Sequence, residues 1–279
     1  MYMSLWNLAT FQSTGNIRKF RTDQDNYLDS IGQIIGAILR EPRRRAMAIA
    51  RATALEAKRS QAVWRSLSQM SPCQAKALAD DVEFDHLPQI AEYLNVTRRG
   101  VIFTGLHAGD YLLALLKLRN QLTTPRHIYV LRRKTASDLE TRVFSHFDDS
   151  AIPIKVIRHG ENRTLSVIRA LRKGHFVTAL FDLPQSFGKT TEVEFLDQQM
   201  QMVSGPSELA VLGHADIVPF TSNHSRGCSR AQFAPPIRAT TVPETAQRLC
   251  DLGSNYIYQT PDQWQHWFHV PEMLGAASE

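Results

Sequence analysis

The sequence predicts an α/β protein with a central, mostly parallel sheet flanked by helices, entered through an N-terminal helical segment. Three observations carry this prediction. Residues 1–98 read as helical, with apolar residues at spacings of three and four. From Gly100 onward, short apolar, β-branched runs alternate with helical stretches. The chain is also long enough, at 279 residues, and apolar enough, at 43% hydrophobic and 21% charged, to bury a core of that kind.

The elements follow in order. Ile31, Ile34, Ile35, Ile38 and Leu39 predict a helix over 29–39, and Pro42 ends it. Residues 43–69 are rich in Ala and Arg and predict a second helix. Ser71-Pro72 reads as an N-cap followed by proline in the first turn. Residues 87–94, with Pro88 at the start, form one more helix. GVIFTG (100–105) predicts the first strand, buried because it is apolar and bounded by glycines. Helices over 111–120, 136–147 and 163–173 then alternate with strands over 127–132, 152–158 and 175–182. A small-residue helix over 205–213, strands over 216–222 and 230–237, and helices over 243–252 and 261–269 complete the pattern. The composition shift near residue 98 divides an N-terminal helical segment (1–98), packed on the body, from an α/β domain (99–279).

Several classes are excluded. Cys73, Cys228 and Cys250 leave one cysteine unpaired and form no C-x-x-C, which argues against a disulfide framework or a four-cysteine zinc site. A reducing compartment fits this usage. No run approaches the roughly 18 apolar residues needed to span a bilayer. The N-terminal residues lack the basic and apolar regions of a secretory signal. The expectation is a cytoplasmic protein, soluble or attached to the inner face of a membrane. No Walker A or dinucleotide fingerprint is present.

Chemistry in parallel α/β sheets gathers at the carboxyl ends of the strands. There the chain reads Gly105-Leu106-His107-Ala108-Gly109-Asp110-Tyr111. His107 leaves the strand and stands at a helix start, beside unpaired backbone N–H groups that suit an anion or a developing oxyanion. A neutral imidazole there can take a proton from a hydroxyl or amine. The plain alternative makes Asp110 an N-cap and His107 a partly buried polar residue.

The later motifs favour chemistry. GLHAGDY (105–111), VLRRKTASDLETRV (130–143), LRKGHFVTALFDLP (171–184), Gly188, VEFLD (193–197), GPSELA (205–210), DIVPF (216–220) and TPDQWQHWFH (260–269) stand in one order across residues 100–270. In that order and spacing the chain resembles the bacterial lipid A late acyltransferases of the lysophospholipid acyltransferase superfamily. The resemblance implies a glycerol-3-phosphate acyltransferase-like fold. It implies His107 as general base and an acyl thioester, on acyl carrier protein or coenzyme A, as donor. It also implies contact of Arg132 and Arg133 with a substrate phosphate or carboxylate. No metal and no organic cofactor is implied beyond the thioester co-substrate.

Two departures stand out. The superfamily places Asp or Glu five positions after the catalytic histidine, where this chain has Leu112. Either Asp110 supports His107 from another angle, or another acid such as Asp182 does, or the dyad is broken. Many late acyltransferases also begin with a hydrophobic anchor, and none is visible here. The acceptor is expected to be a hydroxyl or amine on an unusual, soluble or carrier-bound molecule. Gly109 and the Gly205 helix start are candidate oxyanion donors, although Gly205 also suits close packing of a small-faced helix. His266 and His269 have H-x-x-H spacing, but no third ligand accompanies them and no metal site is expected. A thioesterase-like hydrolase and a non-catalytic, degenerate family member are the alternatives.

The net charge of +5 is unevenly placed. Arg40, Arg43, Arg44, Arg45, Arg51, Lys58, Arg59 and Arg65 face only Glu41 and Glu56 within residues 40–65, leaving the remainder of the chain slightly acidic. This segment suits an acyl carrier protein or an anionic membrane surface, or is a solvated helix face. No base-reading motif accompanies it, so no nucleic acid is expected.

Overall fold

The computed structural model describes residues 17–132, 138–145, 152–158 and 163–275. The chain opens with a helical hairpin, α1 (Ile17–Leu39) and α2 (Arg43–Leu67). Pro42, with φ −58° and ψ 145°, sets the turn between them. α3 (Pro72–Asp80) begins at a capping box in which Ser71 and Gln74 bond reciprocally. After β1 (Glu83–Asp85) and α4 (Leu87–Val96), β2 (Val101–Gly105), α5 (Tyr111–Asn120), β3 (Ile128–Arg132), α6 (Asp138–Ser145), β4 (Ile154–Arg158), α7 (Arg163–Arg172) and β5 (Phe176–Thr178) alternate. A hairpin, β6 (Thr190–Phe195) and β7 (Gln198–Val203), precedes α8 (Gly205–Gly213). The chain ends through β8 (Asp216–Ser225), β9 (Cys228–Phe233), β10 (Ile237–Arg238), α9 (Val242–Gln259) and α10 (Val270–Met273).

The main sheet runs β1-β9-β8-β2-β5-β3-β4, with β10 paired to β8. Its centre, β8-β2-β5-β3-β4, is parallel throughout. Strand alternation sorts β2 between two cores. Ile102 enters a cluster with Ile31, Ile35, Val177, Ile217, Leu249 and Trp264, while Val101 and Phe103 enter another with the leucines of α5. β2 is buried at all five positions, so its apolar run is the signature of a strand covered on both faces.

The structure corrects several local expectations. Residues 1–98 are not helical throughout: β1 lies among them and pairs in parallel with β9, Glu83 opposite Arg230. The strand expected over 175–182 pairs regularly only through Thr178. Leu183-Pro184 turns the chain away a few residues later. The apolar residues over 261–269 form turns and a 3₁₀ segment, with α10 beyond them. Trp264 and Trp267 are fully buried there, so their spacing serves packing and not a helix face. VEFLD (193–197), read only as a family motif, lies in the β6–β7 hairpin, whose second strand was not expected. Among the described residues, no helix is long and apolar enough to cross a membrane.

Candidate functional site

β2 and β5 are parallel neighbours in a fixed register, with Val101 opposite Phe176 and Phe103 opposite Thr178. The same offset of 75 residues continues beyond both strands and places Asp182 beside His107. Two bonds guide the chain there: Ala179 N–H to the Phe103 carbonyl at 3.1 Å, and Phe181 N–H to the Gly105 carbonyl at 3.3 Å. The turn after β2 is held from β8, where the Ser222 hydroxyl donates to the Ala108 carbonyl at 2.8 Å. Gly109 has φ +50°, and a Cβ there would lie 2.4 Å from the Ser222 carbonyl oxygen. Only glycine fits that conformation and that approach.

Asp182 is completely buried. Its Oδ1 meets His107 Nδ1 at 2.7 Å. Its Oδ2 accepts from the His107 main-chain N–H at 2.7 Å and from Trp264 Nε1–H at 2.9 Å. Burial opposes ionisation of this carboxyl. The neighbouring His107 and His266 and the bonds from His107 outweigh it, holding the group well below the ordinary carboxylate range. An ionised Asp182 accepts the proton on His107 Nδ1, so His107 Nε2 carries the free lone pair. The His107 side chain is 19% exposed, so the site is reachable.

His266 lies flat against His107, with ring centroids 4.0 Å apart and planes 22° apart. The segment is pinned alongside by Gln265 N–H to the His107 carbonyl, 2.9 Å, and by a bridge between Ala108 and Trp264. His266 Nδ1 sits 3.0 Å from the Asp182 carbonyl oxygen. A carbonyl only accepts, so Nδ1 carries the hydrogen and Nε2 is a lone pair. Burial first, then the charge of His107, pushes its pKa down to about 3, against the pull of Asp182. Sequence reading gave His266 weight only as one half of an H-x-x-H spacing. His269 instead lies 3.8 Å from Glu272. His107, Asp182 and His266 bring candidate metal-ligand atoms within 4.8 Å of one another. Asp182, however, is already filled by three N–H donors, which is the arrangement of a hydrogen-bonded carboxylate.

Asp110 has other partners. It stands at the N-cap position of α5 but its side chain makes no cap bond. Its Oδ2 accepts from Arg59 Nη1 at 2.7 Å and from the Ser229 hydroxyl. Arg59 also forks onto Glu56 of its own helix. Burial works against the Arg59 charge, but Glu56 and Asp110 together hold the guanidinium protonated above its ordinary range. With Asp110 turned away, the first turn of α5 has no side-chain cap on its main-chain N–H groups. That turn begins within five residues of His107. Leu112, at the position where the superfamily carries its acid, is 4% exposed and belongs to the apolar core.

The other expected site residues are less central. Arg132 ends β3, two strands from β2, and its side chain lies outside the described residues, as does all of Arg133. Gly205 begins α8, but Glu208 occupies that first turn, bonded to Ser204 at 3.0 Å and to Lys189 at 2.8 Å. Gly205 shares no hydrogen bond with His107 or Asp182.

The family model described as bacterial lipid A biosynthesis acyltransferase matches residues 56–270. A comparison with curated proteins returns no match. The family match covers most of the chain, including every element that builds the site, and the chain belongs to this acyltransferase family.

Proposed function

We propose that the protein moves an acyl group from a thioester, on acyl carrier protein or coenzyme A, to a hydroxyl or amine, with His107 as general base. One observation carries the reading: the 2.7 Å contact between Asp182 Oδ1 and His107 Nδ1, which leaves His107 Nε2 as the basic atom. Nε2 takes the proton of the acceptor O–H or N–H as that atom attacks the thioester carbon. The carbonyl oxygen becomes an oxyanion, which main-chain N–H groups at the start of α5 are placed in sequence to stabilise. Collapse restores the carbonyl, breaks the C–S bond and returns the proton from His107 to the departing thiolate. His266, neutral at working pH, holds the imidazole plane from its face and shields it from water. The base acts from the cytoplasm on a soluble or membrane-surface acceptor.

The test is mass spectrometry of reactions holding the purified protein, acyl carrier protein loaded with different acyl groups, and hydroxyl or amine acceptors. Acyl-acceptor product is expected, and His107→Ala is expected to lower turnover by about 10²–10⁴-fold without unfolding the chain. Free acid formed with no acceptor requirement would make the protein a hydrolase. Turnover by His107→Ala within about threefold of wild type would end the assignment of the base.

A further inference from the structure

His266 does more in the fold than lie against His107. Asp182 orients both rings, one with its side chain and the other with its main chain. Its carboxylate meets His107 Nδ1 at 2.7 Å, and its carbonyl oxygen accepts from His266 Nδ1–H at 3.0 Å. Each acceptor draws the ring hydrogen onto Nδ1, so both Nε2 atoms carry lone pairs. The rings are stacked, with centroids 4.0 Å apart and planes 22° apart, so both Nε2 edges leave Asp182 on the same side. Neither Nε2 has a hydrogen-bond partner among the described residues. The two side chains keep 19% and 13% exposure while Asp182 has none, so what is exposed lies away from Asp182, where the lone pairs point.

We infer that the acceptor is a primary amine, held by its two N–H hydrogens on the paired Nε2 atoms of His107 and His266. This rests on the thioester-transfer reading above and names its acceptor class. A hydroxyl has one hydrogen to give, and His107 alone serves it. The lone pair of His266 would then face the lone pairs of the hydroxyl oxygen, an acceptor against an acceptor. A primary amine and water each bring two hydrogens. The family match makes the reaction a transfer, which selects the amine. A site built to accept a hydrogen discriminates against a ligand that lacks it. The nitrogen lone pair forms the N–C bond to the thioester carbon, and the carbonyl π pair moves onto oxygen. The nitrogen then carries two hydrogens and a positive charge. His107 Nε2 takes one hydrogen as a proton; the other stays hydrogen-bonded to His266 Nε2 and remains on the amide. The carbonyl re-forms, the C–S bond breaks with its electron pair on sulfur, and His107 returns its proton to the thiolate. His266 touches the reacting nitrogen without changing its own protonation, as befits an imidazole whose basicity burial lowers.

The test uses the full chain, one acyl thioester and three acceptors of equal length: hexylamine, N-methylhexylamine and hexanol. Blanks without enzyme correct for spontaneous aminolysis. Wild type is expected to favour hexylamine over N-methylhexylamine, which is similarly nucleophilic but has one hydrogen fewer, and over hexanol, each by at least about tenfold in kcat/KM. His266→Phe is expected to lower the hexylamine-to-hexanol ratio by about tenfold, the worth of one hydrogen bond. Circular dichroism checks that this variant is folded. A role for His266 in packing alone would slow all acceptors alike, and an unchanged ratio overturns the inference. Hexanol turned over at least as fast as hexylamine also overturns it, while leaving His107 as the base. Free acid as the main product makes water the nucleophile with two hydrogens and overturns the amine. No product from any acceptor overturns the inference and the transfer reading together. Long-range proton–nitrogen correlation NMR on the resting protein needs no turnover and is expected to show both rings protonated on Nδ1. An Nε2–H tautomer at His266 overturns the inference even where transfer occurs.

Discussion

Asp182 and Asp110 are both buried carboxylates beside His107, yet the fold gives them opposite company. Asp182 holds the imidazole and is surrounded by N–H donors and rings: His107, Trp264 and His266. Asp110 is nearer in sequence, but it serves a guanidinium and a hydroxyl contributed by α2 and β9. The difference teaches that nearness along the chain is a poor guide to which acid supports a base. A carboxylate three residues on stands at a helix start, where its direction is set by that turn. One 75 residues on, at the end of the adjacent parallel strand, faces the same edge of the sheet as the histidine.

The comparison breaks most sharply at Asp182. Asp182→Asn keeps the volume but can present an N–H to Nδ1, favouring the wrong tautomer, and turnover is expected to fall by about 10²–10⁴-fold. Steady-state kinetics on an acyl thioester checks this. Turnover within about threefold would detach the carboxylate from the reaction.

His266 sharpens the same side. His266→Phe keeps a ring against His107 but removes the donor to the Asp182 carbonyl, so a smaller loss of turnover, about tenfold, is expected. Its titration offers a second readout. The folded pKa of about 3 lies below the ordinary 6.5, so between these values the unfolded chain binds a proton that the fold refuses. Stability from this group is therefore complete above pH 6.5 and declines as pH falls toward 3. Asp182, also held low, adds loss at the acid end of that window. Urea midpoints measured from pH 7 to pH 4 are expected to fall for wild type and to fall less steeply for His266→Phe.

The smallest effect on turnover is expected at Asp110. Asp110→Asn leaves Arg59 paired with Glu56 but without its second charged acceptor. Turnover is expected to stay within about threefold, while unfolding free energy drops by about 1–3 kcal/mol. Denaturant unfolding and kinetics on one preparation check both halves. A large loss of turnover at unchanged stability would make Asp110, and not Asp182, the supporting acid.

Much of this was legible without coordinates. Helical spacing in Ile31–Leu39, the Ser71-Pro72 cap, the buried run of β2 and the helix over Tyr111–Asn120 are local signals, and the structure follows them. β1 was not legible, because three residues carry too little periodicity and their pairing depends on β9. The β6–β7 hairpin joins at Leu196-Asp197, both at positive φ, where Asn-Gly or Asp-Gly would have announced the turn. His266 was hidden by the tryptophans around it, whose spacing resembles a helix although they pack as turns.

By itself, the sequence determined the α/β class, the strand end that exposes His107, the two acids worth weighing and the membership of an acyltransferase family. These rest on residue type and on spacing within one element, where backbone geometry translates directly into a face or an edge. Only the tertiary structure decided that Asp182 bonds to His107, that His266 stacks on it, and that Arg59 leaves the basic face to hold Asp110. Each of those depends on which strands and helices become neighbours. That choice belongs to the packing of the whole core, so no single segment encodes it.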